Sequence, residues 1–467
     1  MLDDVLKTSL DQYLEQNWEA MVADLTTLVR IDSVEDLPNA APGMPYGPGP
    51  KRALQTALDM WAGYGFDSHD MEGYVGYADW QGSSDTQIGI IGHMDVVPVG
   101  QGWTLPPFDV TEKDGYLLGR GTSDDKGPMV MALHAARFWM QQGKEFPYTL
   151  RFIIGANEET GMHDLEYYQQ HFEDPKLLFS PDDEFPVCYG EKGTIHGQMT
   201  SAPIEDGVIL EMEGGIAVNA VPGTAQAVLA VNASTLPGSE GISVEADAQG
   251  NVVIRAEGVQ AHASTPEEGK SAIDLLVSYI IDAGVCSGEE LAWLQLVHDV
   301  TRSSDGSGVG IAARDEHFGE LTLVGGVAAK QGNRFTQSID IRFVTGCTPE
   351  GLLSKLQARA DACGAKVEAP RIMPLFLMDK DGQLVQTLLS SYRDVTEDTQ
   401  EPFTIGGATY SRHFKAGVGF GADVHGQQRP SWVGGMHAAD EGVSIEALKT
   451  AFKAYAVAIG RLMDLEL

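Results

Sequence analysis

The spacing of apolar residues changes character along the first 188 positions. From Asp11 to Val29 and from Lys51 to Tyr64 they recur every three or four residues, the period of a helix with one buried face. Ile88 to Ile91 in "IGIIGHMDVVP", "YTLRFIIG" (Tyr148 to Gly155) and "KLLFS" (Lys176 to Ser180) are instead short continuous apolar runs. Strands covered on both faces of a sheet read this way. Between the first two runs, Pro128 to Gln142 carries Met129, Leu133, Ala136 and Met140 on one helical face. Alternation of this kind predicts a doubly wound, mostly parallel α/β domain.

From about Gly190 the texture differs. "GVILEME", "AQAVLAVNA", "GNVVIRAEG", "GELTLVGG" and "RFTQSIDIRFV" predict strands separated by Gly and Asn turns, with helical patterns at Lys270 to Ala283 and Pro349 to Ala362. These predict an α+β region of antiparallel sheets. Its two strand-rich halves, flanking Lys270 to Ala283, hint at an internal duplication. After about Asp379 the α/β style returns, and Ser444 can cap a closing helix bearing Ile445, Leu448, Phe452, Tyr455 and Ile459. The expected division is a split domain of residues 1–188 and 381–467 with residues 189–380 inserted. A chain of 467 residues exceeds what one hydrophobic core usually supports.

Composition narrows the functions. Lys and Arg number 31 against 67 Asp and Glu, a formal net charge of -36. That disfavours nucleic acid and anionic membrane as partners, since both are gripped through basic side chains. No apolar run approaches the roughly 18 residues of a membrane span. The acidic, amphipathic start lacks the basic flank of a signal peptide, so a cytoplasmic location is expected. Cys188, Cys286, Cys347 and Cys363 are scattered, without C-x-x-C spacing, and are expected as reduced thiols. Any metal would therefore use oxygen and imidazole ligands.

Such ligands collect at strand ends. His93 and Asp95 follow the first run, Glu158 and Glu159 ("ANEETG") the second, and Asp182 ("SPDDE") the third, while Asp124 and Asp125 ("GRGTSDDKGP") precede a helix. In an open α/β sheet, ligands bind beyond the carboxyl ends of the strands. Each motif alone has an ordinary reading: a hydrogen-bonded strand end, an exposed Asp-Gly turn, or a helix start. Together, so many carboxylates at one rim would repel one another, and a bound dication resolves the conflict. Imidazole and carboxylate without thiolate suit zinc, or manganese or cobalt in its place. Two ions sharing a carboxylate, about 3.5–4 Å apart, would use all the candidates.

"GHMDVVP", "GRGTSDDKGP", "NEETG", "SPDDEFP" and "MHAADEG", in this order, resemble the dinuclear zinc metallopeptidases that include carnosinases, aminoacylases and succinyl-diaminopimelate desuccinylase. "SPDDEFPVCYGEKG" and the long insert look most like the bacterial dipeptidase V branch, which splits unblocked dipeptides. The resemblance implies that His93 and Asp182 hold one zinc, Glu159 and His437 the other, and that Asp124 bridges them, followed by a cis peptide bond. It implies that Asp95 accepts the free N–H of His93 and that Glu158 is the general base. Asp183 and Glu184 stand beside Asp182, whose choice rests on its place after Ser-Pro.

Within the insert, "GVQAHASTPEEGKSA" resembles the family's lid motif, whose histidine, His262, would reach the scissile carbonyl. "GGIAVNAVPG" matches with Asn219 as a second oxyanion donor. "SIDIRF" puts Arg342 on a strand, where it can grip a substrate carboxylate in bidentate fashion. "GGATYSR", with Gly406, Gly407 and Thr409, looks like the family's substrate-binding turn. The implied enzyme is a cytoplasmic, monomeric dipeptidase with two Zn2+ and a closing lid. The rivals are an aminoacylase using the same site, a non-catalytic binding descendant, which the intact Glu158 disfavours, and a thiol enzyme, for which Cys188 lies in no nucleophile motif.

Overall fold

The runs that end in His93, Gly155 and Ser180 lie side by side as parallel strands, Gln87–His93 between Thr149–Gly155 and Leu177–Ser180. The structure, a computed structural model, describes residues 2–231, 236 and 238–467. It divides the chain into two units: residues 1–189, 377–403 and 408–467, and residues 190–376 with 404–407. The domain limits expected at 188/189 and 380/381 fall in the structure at 189/190 and 376/377, and Thr404–Gly407 joins the second unit.

In the first unit, six strands run in the order Asp67–Met71, Val75–Trp80, Thr149–Gly155, Gln87–His93, Leu177–Ser180, Gly417–Gly419. The last four are mutually parallel, and the first two add an antiparallel hairpin at the edge. Successive side chains on a strand point to opposite faces. Leu150, Phe152 and Ile154, with Ile88, Ile90 and Phe179, enter the large core. Ile153, Ile91 and Leu178 enter a smaller cluster under the helix His163–Gln169. That is why these runs lack polar alternation.

Helices Asp4–Val29, Pro48–Gly63, Lys126–Gln141, Gln383–Thr396 and Ile445–Met463 feed the large core. The first begins seven residues before the expected Asp11, because Asp3 caps it by accepting the Val5 N–H. The third starts at Lys126 rather than Pro128. A proline in the first turn costs no hydrogen bond, since the N–H there has no partner within the helix. Ser444 caps the last helix as expected.

The second unit is built on a nine-stranded sheet in which every neighbouring pair is antiparallel. The two strand-rich halves do not form separate sheets: Ile209–Gly214 pairs with Ala328–Gln331 and joins them. The end of the predicted strand "AQAVLAVNA" lies outside the described residues. Helices Ala272–Asp282, Gly288–Thr301 and Pro349–Ala360 complete the core. The middle one was not among the predicted elements, although Trp293, Leu294, Leu296, Val297 and Val300 mark its buried face with helical spacing. Its Glu290, 2% exposed, accepts the N–H groups of Val208 and Ile209, ending a strand that would otherwise open onto buried donors. Among the described residues no helix is long and apolar enough to cross a membrane.

Candidate metal centre

The parallel strands of the first unit deliver their polar ends to one rim. His93 is the last residue of its strand and fully buried. Its backbone N–H is held by the Asp125 carboxylate at 3.2 Å, and its Nδ1 lies 3.0 Å from the main-chain carbonyl of Asp95. A carbonyl only accepts, so Nδ1 carries the proton and the lone pair of Nε2 faces outward. Nε2 lies 3.0 Å from Asp124 Oδ1 and 3.6 Å from Asp182 Oδ2.

His437 approaches from the loop before the strand Gly442–Ser444 with φ at 65°. Its Nε2 lies 3.1 Å from Asp124 Oδ2 and 3.0 Å from Glu159 Oε2. Asp124 thus gives one oxygen to each imidazole. The Asp124–Asp125 peptide bond is cis. In each of two sets of donors, His93 with Asp124 and Glu159, and His93 with Glu158 and Asp182, one ligand atom per residue lies within 4.8 Å of the others in its set.

Of the three acidic residues after Ser180, Asp182 is the one that faces His93. Asp183 packs onto Gly419 and accepts the Glu184 N–H, and Glu184 pairs with His425 at 2.6 Å. Asp95 does more than meet the His93 imidazole. The imidazole goes chiefly to its main chain, with Oδ1 at 3.4 Å, while its carboxylate accepts the backbone N–H groups of Glu158 (3.2 Å) and Glu159 (3.1 Å). It therefore shapes the turn that carries both glutamates.

The charges conflict as the sequence suggested. Burial, then the neighbouring Asp124, pushes the Asp182 carboxyl up to about 8. Burial and Asp182 raise Glu158 well above its ordinary range, and burial and Asp124 raise Glu159. Burial also works against ionised Asp124, yet His437 and His93, which donate to it through Nε2 when both ring nitrogens are protonated and no ion is bound, outweigh it and hold this carboxyl low. One ionised carboxylate between two imidazoles, ringed by carboxyls that resist ionisation, is an arrangement that dications neutralise. The donor set fits two of them, with Asp124 shared.

Two supporting residues escaped the sequence reading. Glu441, fully buried, takes Arg120 Nη1 at 2.5 Å on one oxygen. Its other oxygen accepts the backbone N–H groups of Gly121, Ser123 and Asp124 at 3.0–3.3 Å. Arg120 also donates to the His437 carbonyl at 3.3 Å. The pair ties the loop of Asp124 to the loop of His437. The signal available was Glu441 within "MHAADEG", four residues after His437. Asp164, also buried, holds the N–H groups of Ala156 and Asn157 at 2.8 and 2.9 Å and accepts from the Tyr410 hydroxyl, fixing the start of "ANEETG".

The remaining predicted residues are divided between the units. In the second, strands Ala220–Val221 and Ala261–His262 pair, and the Ala263 N–H bonds the Asn219 carbonyl, so Asn219 and His262 sit together. His262 is exposed, and its Nδ1 accepts from the Ser264 N–H at 3.2 Å, which places the neutral ring's proton on Nε2. Gly406 packs against Ser264, where a Cβ would meet the serine Cβ at 2.9 Å, whereas Gly407 has more room. Arg342 departs from expectation: its bidentate partner is Asp340, at 2.7 and 2.9 Å. Thr409 lies in the first unit, where its hydroxyl accepts the Ser411 N–H.

The sequence pattern of peptidase family M20/M25/M40 matches residues 89–461. The chain belongs to this family. A protein of Lactobacillus delbrueckii subsp. lactis named beta-Ala-Xaa dipeptidase is 31% identical over 472 residues, covering 96% of this chain and 97% of that one. Among solved structures, the di-peptidase Dug1p of Saccharomyces cerevisiae superposes with a TM-score of 0.64 at 14% identity, covering 98% and 99% of the two chains. Human carnosine dipeptidase 1 gives 0.63 at 14% identity, covering 99% and 100%. These two show that the M20/M25/M40 chain shares their fold, as the α/β reading with an antiparallel α+β insert expected.

Proposed function

We propose that the chain is a dipeptidase that hydrolyses the peptide bond of unblocked dipeptides with two divalent metal ions. His93 and Asp182 would hold one ion, His437 and Glu159 the other, and Asp124 both. The observation that carries this reading is Asp124 set between two imidazoles, each turned to it through Nε2. The ions supply Lewis acidity, which makes water a nucleophile near neutrality. Zinc suits the imidazole and carboxylate donors, with manganese and cobalt as substitutes.

Glu158 is the general base in this reading. It lies in the same cluster as His93 and Asp182, and burial raises its carboxyl toward the range where it can take a proton and return it to the leaving amine. Asp95 orients it through the backbone. His262 with its proton on Nε2, and Asn219 beside it, are assigned to the oxyanion, where one well-placed donor is worth about 3–4 kcal/mol. Arg342 and the turn at Gly406, Gly407 and Thr409 are assigned to the substrate. The dipeptide class is supported by the relative named beta-Ala-Xaa dipeptidase, which matches along nearly the whole chain. A monomer is proposed.

The test is turnover by protein stripped with chelator and reloaded with zinc, manganese or cobalt. Free dipeptides, β-alanyl dipeptides and N-acetyl amino acids are compared, with metal counted in each sample. Two ions per chain and cleavage of free dipeptides are expected. Preference for N-acetyl amino acids would turn the reading to an aminoacylase.

A further inference from the structure

Asp340 and Arg342 lie two residues apart on the strand Arg334–Phe343 and so share a face of the sheet. Besides the paired bonds to Asp340, Arg342 donates through Nη1 to Thr194 Oγ1 at 3.2 Å and to the Gly406 carbonyl at 3.1 Å. Thr194 is the residue directly opposite it on the neighbouring strand. A guanidinium has five N–H donors. Four are engaged by these contacts, and the second N–H of Nη2 has no acceptor among the described residues.

Both residues are buried, Asp340 at 1% and Arg342 at 5% exposure. Asp340 Oδ2 also lies 3.1 Å from His196 Nε2. A buried ion pair gains little stability over apolar residues of the same volume. A fixed guanidinium with one donor left over is instead a directed grip for an acceptor from outside the sheet.

We propose that Asp340 is a positioning residue for substrate recognition. It fixes the plane of the Arg342 guanidinium so that the substrate carboxylate is met by one aimed N–H of Nη2 rather than by a two-toothed clasp. The inference rests on the reading that Arg342 binds the substrate carboxylate.

The experiment compares a free dipeptide with its C-terminal amide for the metal-loaded wild-type, Asp340→Asn, Arg342→Met and double-variant proteins. Asp340→Asn should raise KM for the acid about tenfold, leaving kcat and the KM of the amide within about twofold, because a loosened guanidinium is misdirected. On the Arg342→Met background the same change should add nothing. Equal effects on acid and amide, or effects that multiply in the double variant, would show a merely structural Asp340 and overturn the proposal. An Arg342→Met protein that treats acid and amide as wild type does would overturn the assignment of Arg342, and the role of Asp340 with it. Should Asp340→Asn fail to fold, Thr194→Val decides: it removes one tether with little change of shape, and should raise KM for the acid alone, about two- to threefold. No change there overturns the proposal.

Discussion

Single residues at the metal centre divide between binding ions and moving protons, and Glu158 could do either by position alone. As general base, Glu158→Gln loses about a hundred- to ten-thousandfold in kcat and keeps both metals. Loss of an ion on metal analysis would make it a ligand instead. Asp164 shows the same balance away from the ions. Burial, then the Asp95 charge, raises its carboxyl to about 6 from an ordinary value of 3.8, against the pull of Tyr410. Because the folded state holds this proton more tightly than the unfolded one, the group's contribution to stability falls as pH rises from about 4 to 6. Tyr410→Phe removes a bond that favours the ionised form, raising the folded value further. The difference in stability between wild type and Tyr410→Phe should therefore widen as pH rises through 6, toward about 1.5–3 kcal/mol. Urea titrations at pH 5 and 8 measure it, and a gap independent of pH would remove Asp164 from the explanation.

At the scale of elements, the rim works because backbone geometry brings side chains close without room to spare. Gly92 sits beneath Asp125: a Cβ there would lie 2.0 Å from Asp125 Oδ2 and 2.6 Å from Met129 Sδ. Asp125 in turn holds the backbone of His93, so strand end and helix start are locked through a position that must lack a side chain. Gly92→Ala should destabilise the fold by about 1–3 kcal/mol through overpacking. It should also weaken metal affinity, because His93 loses its tether. Calorimetric metal titration checks this, and wild-type affinity would show that the strand end does not depend on Asp125. The helix Gly288–Thr301 teaches the converse. Its periodicity is plain, yet it follows the helix Ala272–Asp282 after only five residues, and Glu290 on the N–H groups of Val208 and Ile209 shows what anchors it.

For the whole molecule, the question is whether one chain makes a complete enzyme. The proposed monomer predicts that mixing His262→Ala with Glu158→Gln restores no activity, since each chain lacks one part and neither lends its own. If His262 served a partner's site, mixed dimers would hold one intact centre. Recovery of about a quarter or more of wild-type turnover at equal mixing would show such exchange and return the argument to a dimeric enzyme.

The sequence by itself determined most of the elements around the site and the kind of chemistry. Short continuous apolar runs bounded by turn residues read as strands covered on both faces, and runs that end in His, Asp and Glu declare a polar rim. What it left open was which carboxylate turns where. "SPDDE" offers three acidic residues in a row, and only folding shows Asp182 toward His93, Asp183 packed onto Gly419 and Glu184 on His425. Likewise Asp95 reads as the partner of one imidazole, and beside that contact its carboxylate also takes two backbone N–H groups 63 and 64 residues away. Glu441 and Arg120, 321 positions apart, meet at 2.5 Å. Arg342, expected to hold a substrate in two bonds, has those bonds filled by Asp340. The physical reason is common to all four. Spacing along the chain sets secondary structure and composition sets the available donors and acceptors, but a buried polar group takes whichever partner the packed fold brings within about 3 Å.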